Sequence, residues 1–268
     1  MLKDITLGQY FPGDTVIHRL DPRTKLVMTI VYMVALFTAK DIISYGVVMA
    51  GLAAVIVVSN TKLKMLLKGL KPIVIVLAFT GILNILYAPG EHVIAHFWVF
   101  TITLEGIKTA ILMMLRITML IMGTSILTYT TSPIALTDGM ERLMGPLKKI
   151  KVPVHEISMI MSIALRFIPT LIEETDKIMN AQRARGADFD SGNLIQRAKA
   201  MLPILVPLFI SAFRRADELA IAMESRCYHG GEGRTRMKVL KYKRRDIITF
   251  ILGIAYLTAV IVLRKIGL

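Results

Sequence analysis

Residues 107–129, IKTAILMMLRITMLIMGTSILTY, decide the fold. A helix rises about 1.5 Å per residue, so a stretch of this length crosses the roughly 30 Å hydrocarbon core of a bilayer. Arg116 stands near its middle. Working outward, four more stretches approach the same requirement: Leu26–Ala39, Ile42–Val58, Ile73–Tyr87 and Ile247–Leu263. Lys40-Asp41 makes a tight turn between the first two, Asn60 and Lys62 close the second, and Pro72 suits the first position of the third because its missing N–H would be unpaired there. Ala88-Pro89-Gly90 ends the third, and Arg264-Lys265 closes the last. The chain is 54% hydrophobic with a mean hydropathy of +0.61, which combines membrane spans with a substantial polar portion.

Basic residues set the expected orientation, because lysine and arginine in short loops resist translocation. Lys62, Lys64, Lys68 and Lys71 crowd the second loop, whereas residues 88–106 contain neither lysine nor arginine. An N-inside topology follows, with the C-terminus outside after the final span. The N-terminal residues, with Lys3, Asp4, Asp14, His18, Arg19, Asp21, Arg23 and Lys25, lack the apolar core of a signal peptide. The net charge of +14 is also compatible with a nucleic-acid binder, but the charges flank apolar stretches as membrane loops do, so no nucleic-acid partner is expected and the bilayer is. Cys227 is the only cysteine, which excludes a disulfide framework within one chain.

Between the fourth and fifth spans, residues 131–245 hold most of the remaining basic residues and are expected to be cytosolic, leaving residues 1–130 as a four-span membrane part and 246–268 as a C-terminal span. The fold class is therefore all-α and polytopic, with about five transmembrane helices and a cytosolic region of three helices. Pro153 and Ser191-Gly192 divide that region into Pro133–Ile150, Val154 to about Arg185, and Leu194 to about Arg226. The second and third of these begin apolar and become charged, Glu173, Glu174, Asp176 and Lys177 being too costly to bury in hydrocarbon. Pro169, Pro203 and Pro207 remove backbone donors, which predicts kinks or breaks.

Aligned on Asp176 and Asp217, the two long helices match at Ala181 and Ala222, at Ala184 and Ser225, and at Arg185 and Arg226. Each ends as a small residue, an arginine and another small residue: Ala184-Arg185-Gly186 and Ser225-Arg226-Cys227. A single such arginine is explained by the negative end of a helix dipole, worth about 0.3 to 1 kcal/mol. Two matched copies point further. Small neighbours let a partner surface approach, and a guanidinium presents a rigid fork of donors to carboxylates or carbonyls.

These residues resemble a known family, the T component of energy-coupling factor (ECF) transporters, the EcfT/CbiQ group. The resemblance covers nearly the whole chain and includes Leu20-Asp21-Pro22-Arg23-Thr24-Lys25-Leu26, Thr130-Thr131-Ser132-Pro133 and Arg166-Phe167-Ile168-Pro169. It implies a noncatalytic coupling and scaffold subunit of an ECF-type ABC importer in a prokaryotic cell membrane, taking up a vitamin or metal ion. The implied partners are two ABC ATPase subunits and a substrate-binding membrane S component. In the family two X-Arg-X motifs dock the ATPases, which carries that role onto Ala184, Arg185, Gly186 and Ser225, Arg226, Cys227; cysteine at the last position departs from the usual glycine. The chain itself would bind no cofactor, with ATP and Mg held by the partner ATPases. Met159, Met161, Met179, Met201 and Met223 could give the helices an adaptable contact surface, or simply pack.

No GxxxxGK[ST] phosphate loop occurs; Gly230-Gly231-Glu232-Gly233 precedes Arg234 and reads as a linker. His92 and His96, with Glu91, have spacing that a helical metal site would use, against interfacial anchoring beside Phe97 and Trp98. Arg116 needs a partner within the membrane: backbone carbonyls or Asn84 on a structural reading, the S component on a functional one. Lys238, Lys241, Lys243, Arg244 and Arg245 are expected to meet anionic headgroups. The rival functions are a self-sufficient secondary transporter, which would need polar residues near the midplane, and a membrane-embedded enzyme, for which no catalytic residue emerges.

Overall fold

A computed structural model describes residues 10–87, 92–97, 100–189, 193–231 and 239–266. Helices dominate: α1 (Pro22–Thr38), α2 (Ile42–Ser59), α3 (Leu63–Leu70), α4 (Val74–Tyr87), α5 (Leu104–Thr130), α6 (Pro133–Leu143), α7 (Val154–Ala184), α8 (Leu194–Ser225) and α9 (Arg244–Ile266), with one antiparallel hairpin of β1 (Val93–Phe97) and β2 (Phe100–Thr103) between α4 and α5. Two compact units form, one within Glu141–Val239 and one within Gly8–Met140 together with Leu240–Leu268.

In the second of these units α1, α2, α3, α5 and α9 share a core in which Leu36, Val48, Leu66 and Val260 are buried, joined by Met119, Ile126 and Tyr129 of α5. The outer surfaces are apolar, as Ile75 at 79% and Val57 at 76% exposure show. Such faces are stable only against lipid or protein. Among the described residues six helical stretches are long and apolar enough to cross a membrane: Ile42–Ser59, Leu63–Tyr87, Leu104–Thr130, Val154–Ala184, Ile195–Ser225 and Arg244–Ile266. The expected count of about five is thus approximate. The helix α1, with 17 residues, falls short in length, whereas α7 and α8 qualify because their first halves are apolar.

The Asp21–Lys25 segment holds this unit together at one end. Asp21 caps α1 by accepting from the Arg23 N–H at 2.9 Å, and Pro22 takes the first helical position. Arg23 closes a bidentate pair on the same carboxylate, Nε at 2.9 Å and Nη2 at 2.8 Å, and lies 3.9 Å over the Tyr242 ring. Burial pushes the Asp21 carboxyl up, but the hydrogen bonds from Arg23 outweigh it and hold the group below its ordinary value. The stability this pair contributes is therefore present above the ordinary aspartate range and is lost as acid protonates Asp21. Asp246, 2% exposed, accepts from the Asp21 N–H at 2.9 Å and from the Lys243 N–H at 2.8 Å, so one carboxylate joins the starts of α1 and α9. Lys25 Nζ donates to the Thr130 carbonyl at 2.8 Å, a group at the end of α5 that has no partner within its own helix.

One local expectation is corrected and two alternatives are narrowed. The lysine-rich second loop is helical: Leu63, Leu66, Leu67 and Leu70 recur at helical spacing, α3 buries Leu66 and Leu70, and Lys64 and Lys68 stay exposed. The segment around His92 and His96 is extended rather than helical, with His96 in β1 paired to Thr101, so the helix-face spacing proposed for a metal site does not arise; Glu91 lies outside the described residues. Of the kinks or breaks expected at proline, breaks do not occur: α7 continues through Pro169 and α8 through Pro203 and Pro207.

Candidate functional site

The helices α7 and α8 pack in opposite directions. Glu174 of α7 accepts from Arg215 Nη2 at 2.9 Å and from the Ser211 hydroxyl. Eight residues further along α7, Gln182 Nε2 donates at 3.4 Å to the Pro203 carbonyl, eight residues earlier on α8 than Ser211. That carbonyl is free because its usual intrahelical donor would be residue 207, a proline without an N–H. The proline that might have broken α8 thus creates an acceptor that α7 uses. Beyond the end of α8, Gly231 lies against the start of α7: a Cβ there would meet His155 Cδ2 at 2.5 Å. His155 in turn pairs with Glu141 at 3.1 Å. Of the expected glycine-rich linker, Glu232, Gly233 and Arg234 lie outside the described residues.

This arrangement gives the sequence repeat a spatial meaning. Glu174 and Arg215, which bond each other, occupy equivalent positions of the repeat, each eleven residues before its arginine. The pair is therefore close to twofold about that contact, and at about 1.5 Å per residue its two arginine tips lie on the order of 30 Å apart, on opposite sides of it.

Both tips have the same backbone. At the end of α7 the Gly186 N–H donates to Arg183 O at 3.0 Å and the Ala187 N–H to Gln182 O at 3.0 Å; at the end of α8 the Cys227 N–H donates to Glu224 O at 2.8 Å and the Tyr228 N–H to Met223 O at 3.0 Å. These are two Schellman motifs with Arg185 and Arg226 as the last partly helical residues. Gly186 has φ +87° and Cys227 φ +53°, so cysteine adopts the left-handed conformation that glycine supplies elsewhere. Ala184, Arg185, Gly186, Ser225, Arg226 and Cys227 are all exposed. Among the described residues neither the Arg185 nor the Arg226 side chain bonds another group; the caps are made by backbone alone. Cys227→Gly is expected to stabilise its helix end by about 1 kcal/mol and Gly186→Ala to destabilise the other by a similar amount, since an L side chain in the left-handed region costs about that much. Hydrogen exchange of the Tyr228 and Ala187 amides, slower in the first variant and faster in the second, checks both signs.

Arg116 sits in the other unit, inside α5. Its Nε donates to the Tyr45 hydroxyl of α2 at 2.7 Å and its Nη2 to the Ala39 carbonyl at 3.2 Å, just past the end of α1. One guanidinium thus reaches two neighbouring helices. Asn84 is not its partner, donating instead to the Thr80 carbonyl of its own helix at 2.9 Å. His92 pairs with Glu105 at 2.9 Å, and no group of metal-binding side chains occurs among the described residues. Asp246 escaped the sequence reading. Its only signal there was a lone acid after Lys243-Arg244-Arg245, at the third position of the last helix.

A bundle of membrane-length helices, and an antiparallel helix pair with matched, exposed arginine ends, define a polytopic helical membrane protein. Comparison with known proteins agrees. The family model for CbiQ, cobalt transport protein, matches residues 13–237. The chain is 54% identical over 263 residues to the energy-coupling factor transporter transmembrane protein EcfT of Ruminiclostridium cellulolyticum, covering 98% of each. It is 56% identical over 249 residues to that of Clostridium kluyveri, covering 92% of each, and 49% identical over 248 residues to that of Bacillus subtilis, covering 92% of this chain and 93% of the relative. The chain belongs to the CbiQ/EcfT family of transporter transmembrane proteins.

Proposed function

We propose that this chain is the coupling subunit of an ECF-type importer, carrying motion from two ATPase subunits to a substrate-binding membrane protein that takes up a vitamin or metal ion. The observation that carries this reading is the matched pair of helix ends, whose arginines are exposed and unbonded among the described residues. A side chain serving only as a cap would hydrogen-bond the last carbonyls of its helix; here the backbone already closes those ends. Two equivalent tips, related by a near twofold and on the order of 30 Å apart, suit two similar ATPase surfaces rather than one. ATP and Mg belong to those partners, and this chain hydrolyses nothing. The basic flanks support an N-terminus and an α7–α8 pair on the cytosolic side and a C-terminus outside. The apolar surface left open on α8, where Phe213 is 68% exposed, supplies a face for the S component or lipid.

Crosslinking tests the docking directly. Cys227, the chain's only cysteine, is exposed beside Arg226. A short thiol-to-amine crosslinker is expected to join it to an ATPase subunit in the assembled complex, and Arg226→Glu to remove that product. An equal yield in the variant rejects docking at this tip. Arg116→Leu is expected to reduce the amount of assembled complex, while the complex that does form keeps ATP-driven uptake. Normal assembly with lost transport would overturn the structural role proposed for Arg116. A secondary transporter, the competing reading, would show uptake by the purified chain alone.

A further inference from the structure

A cavity of about 430 Å³ opens within the membrane unit among α1, α2, α5 and α9. Its size falls within the range of about 300 to 1,000 Å³ that holds small ligands. Two of its walls are written with the same pattern. On α1 the lining residues are Lys25, Met28, Thr29 and Tyr32; on α9 they are Arg245, Ile248, Thr249 and Leu252. Each set follows the i, i+3, i+4, i+7 spacing of one helix face. The helices run in the same direction from starts joined by Asp246, so Lys25 and Arg245 stand at the same end and the apolar residues continue deeper.

The hydroxyls on this face are already used. Thr29 donates to the Lys25 carbonyl at 2.9 Å and Thr249 to the Arg245 carbonyl at 2.8 Å, leaving their methyl groups as wall. The opposite walls, Leu52, Ala54, Val55, Val58, Ile126 and Leu127, are aliphatic. No carboxylate lines the cavity. Lys25 spends two of its three donors on the His18 and Thr130 carbonyls, and the Arg245 guanidinium bonds no group among the described residues. The cavity thus has two cations at one end, no acid, and an apolar body.

We propose that the cavity binds one anionic phospholipid, with its phosphate at Lys25 and Arg245 and part of an acyl chain between α1, α2, α5 and α9. The chemistry selects both parts. An apolar molecule alone makes no use of the exposed Arg245 guanidinium at the cavity's end, and a free phosphate leaves the aliphatic walls wet. A phospholipid satisfies both, and basic pockets between transmembrane helices recognise such headgroups.

Native mass spectrometry of the full chain in neutral detergent tests this. Three probes are compared: phosphatidylglycerol, phosphatidylcholine with the same acyl chains, and inorganic phosphate. The expected result is a one-to-one phosphatidylglycerol adduct that survives conditions removing phosphatidylcholine, with no phosphate adduct. Arg245→Gln is expected to weaken its retention about tenfold or more, as loss of a charge-assisted contact does. Ala54→Phe, which adds bulk on the aliphatic wall and keeps both cationic residues, is expected to abolish it; Val58→Phe serves if Ala54→Phe does not fold. Equal retention of the two lipids, or no change in Arg245→Gln, overturns the anionic recognition. Unchanged binding in the filled variant overturns the acyl site, and a phosphate adduct lost in Arg245→Gln makes this an ion site instead.

Discussion

Reversing the charge at both tips, Arg185→Glu with Arg226→Glu, is expected to abolish capture of the two ATPase subunits and ATP-driven uptake, with each single variant reducing both in part. The size follows from the contact. A hydrogen bond to a charged group contributes about 1.5 to 3 kcal/mol, so losing one such contact weakens binding roughly tenfold to a hundredfold, and a carboxylate facing an acceptor-lined groove adds repulsion. Two tips engaged at once also reinforce each other through high effective concentration, which makes the double variant worse than either single. The helix ends should survive the change, because their caps use the N–H groups of Gly186, Ala187, Cys227 and Tyr228 and not the arginine side chains. Pull-down and uptake are measured at matched membrane levels, with amide exchange at Ala187 and Tyr228 as the control. If capture persists while those amides stay protected, the arginines have no docking role and the proposed function fails.

Asp246→Ala should unfold the membrane unit at markedly lower temperature. This one carboxylate, nearly inaccessible to solvent, accepts from the Asp21 and Lys243 backbone N–H groups. Alanine leaves two donors without their acceptor and separates the starts of α1 and α9, for an expected loss of about 3 kcal/mol or more. Asp246→Asn keeps one carbonyl oxygen and should fall between alanine and the native chain. Thermal unfolding of the purified chain in detergent reads the order directly. An unchanged midpoint in Asp246→Ala would mean that helix packing alone holds the two starts together.

Much of this molecule was legible in one dimension, because a bilayer forces simple rules on a chain. Apolar length predicted four of the six membrane-length helices, Pro153 stands directly before α7 as the breaker there required, and α7 and α8 end where the arginine repeat places their tips; Ser191-Gly192, the other expected breaker, lies outside the described residues. Local spacing misled at one place and stayed ambiguous at another. Lysine density suggested a loop at residues 62–71, but four leucines at helical spacing made α3, since burial of one face outweighs the charge carried on the other. Histidines four residues apart resembled a helix face, yet the chain there pairs with itself as a hairpin, and nothing in a spacing of four distinguishes the two.

The sequence by itself determined the helical membrane class, the family and the twin arginine ends, all of which depend on local composition or on short motifs. Only the tertiary structure decided that α7 and α8 run antiparallel about Glu174 and Arg215, that Cys227 repeats the backbone of Gly186, and that Asp246 and Lys25 tie α1, α5 and α9 together. Those features join residues as far as 225 positions apart, and such pairings leave no periodic trace in a single chain. Hydrophobic pattern says which face of a helix is buried; which neighbour covers it is settled by packing, hydrogen bonds and charge once the chain has folded.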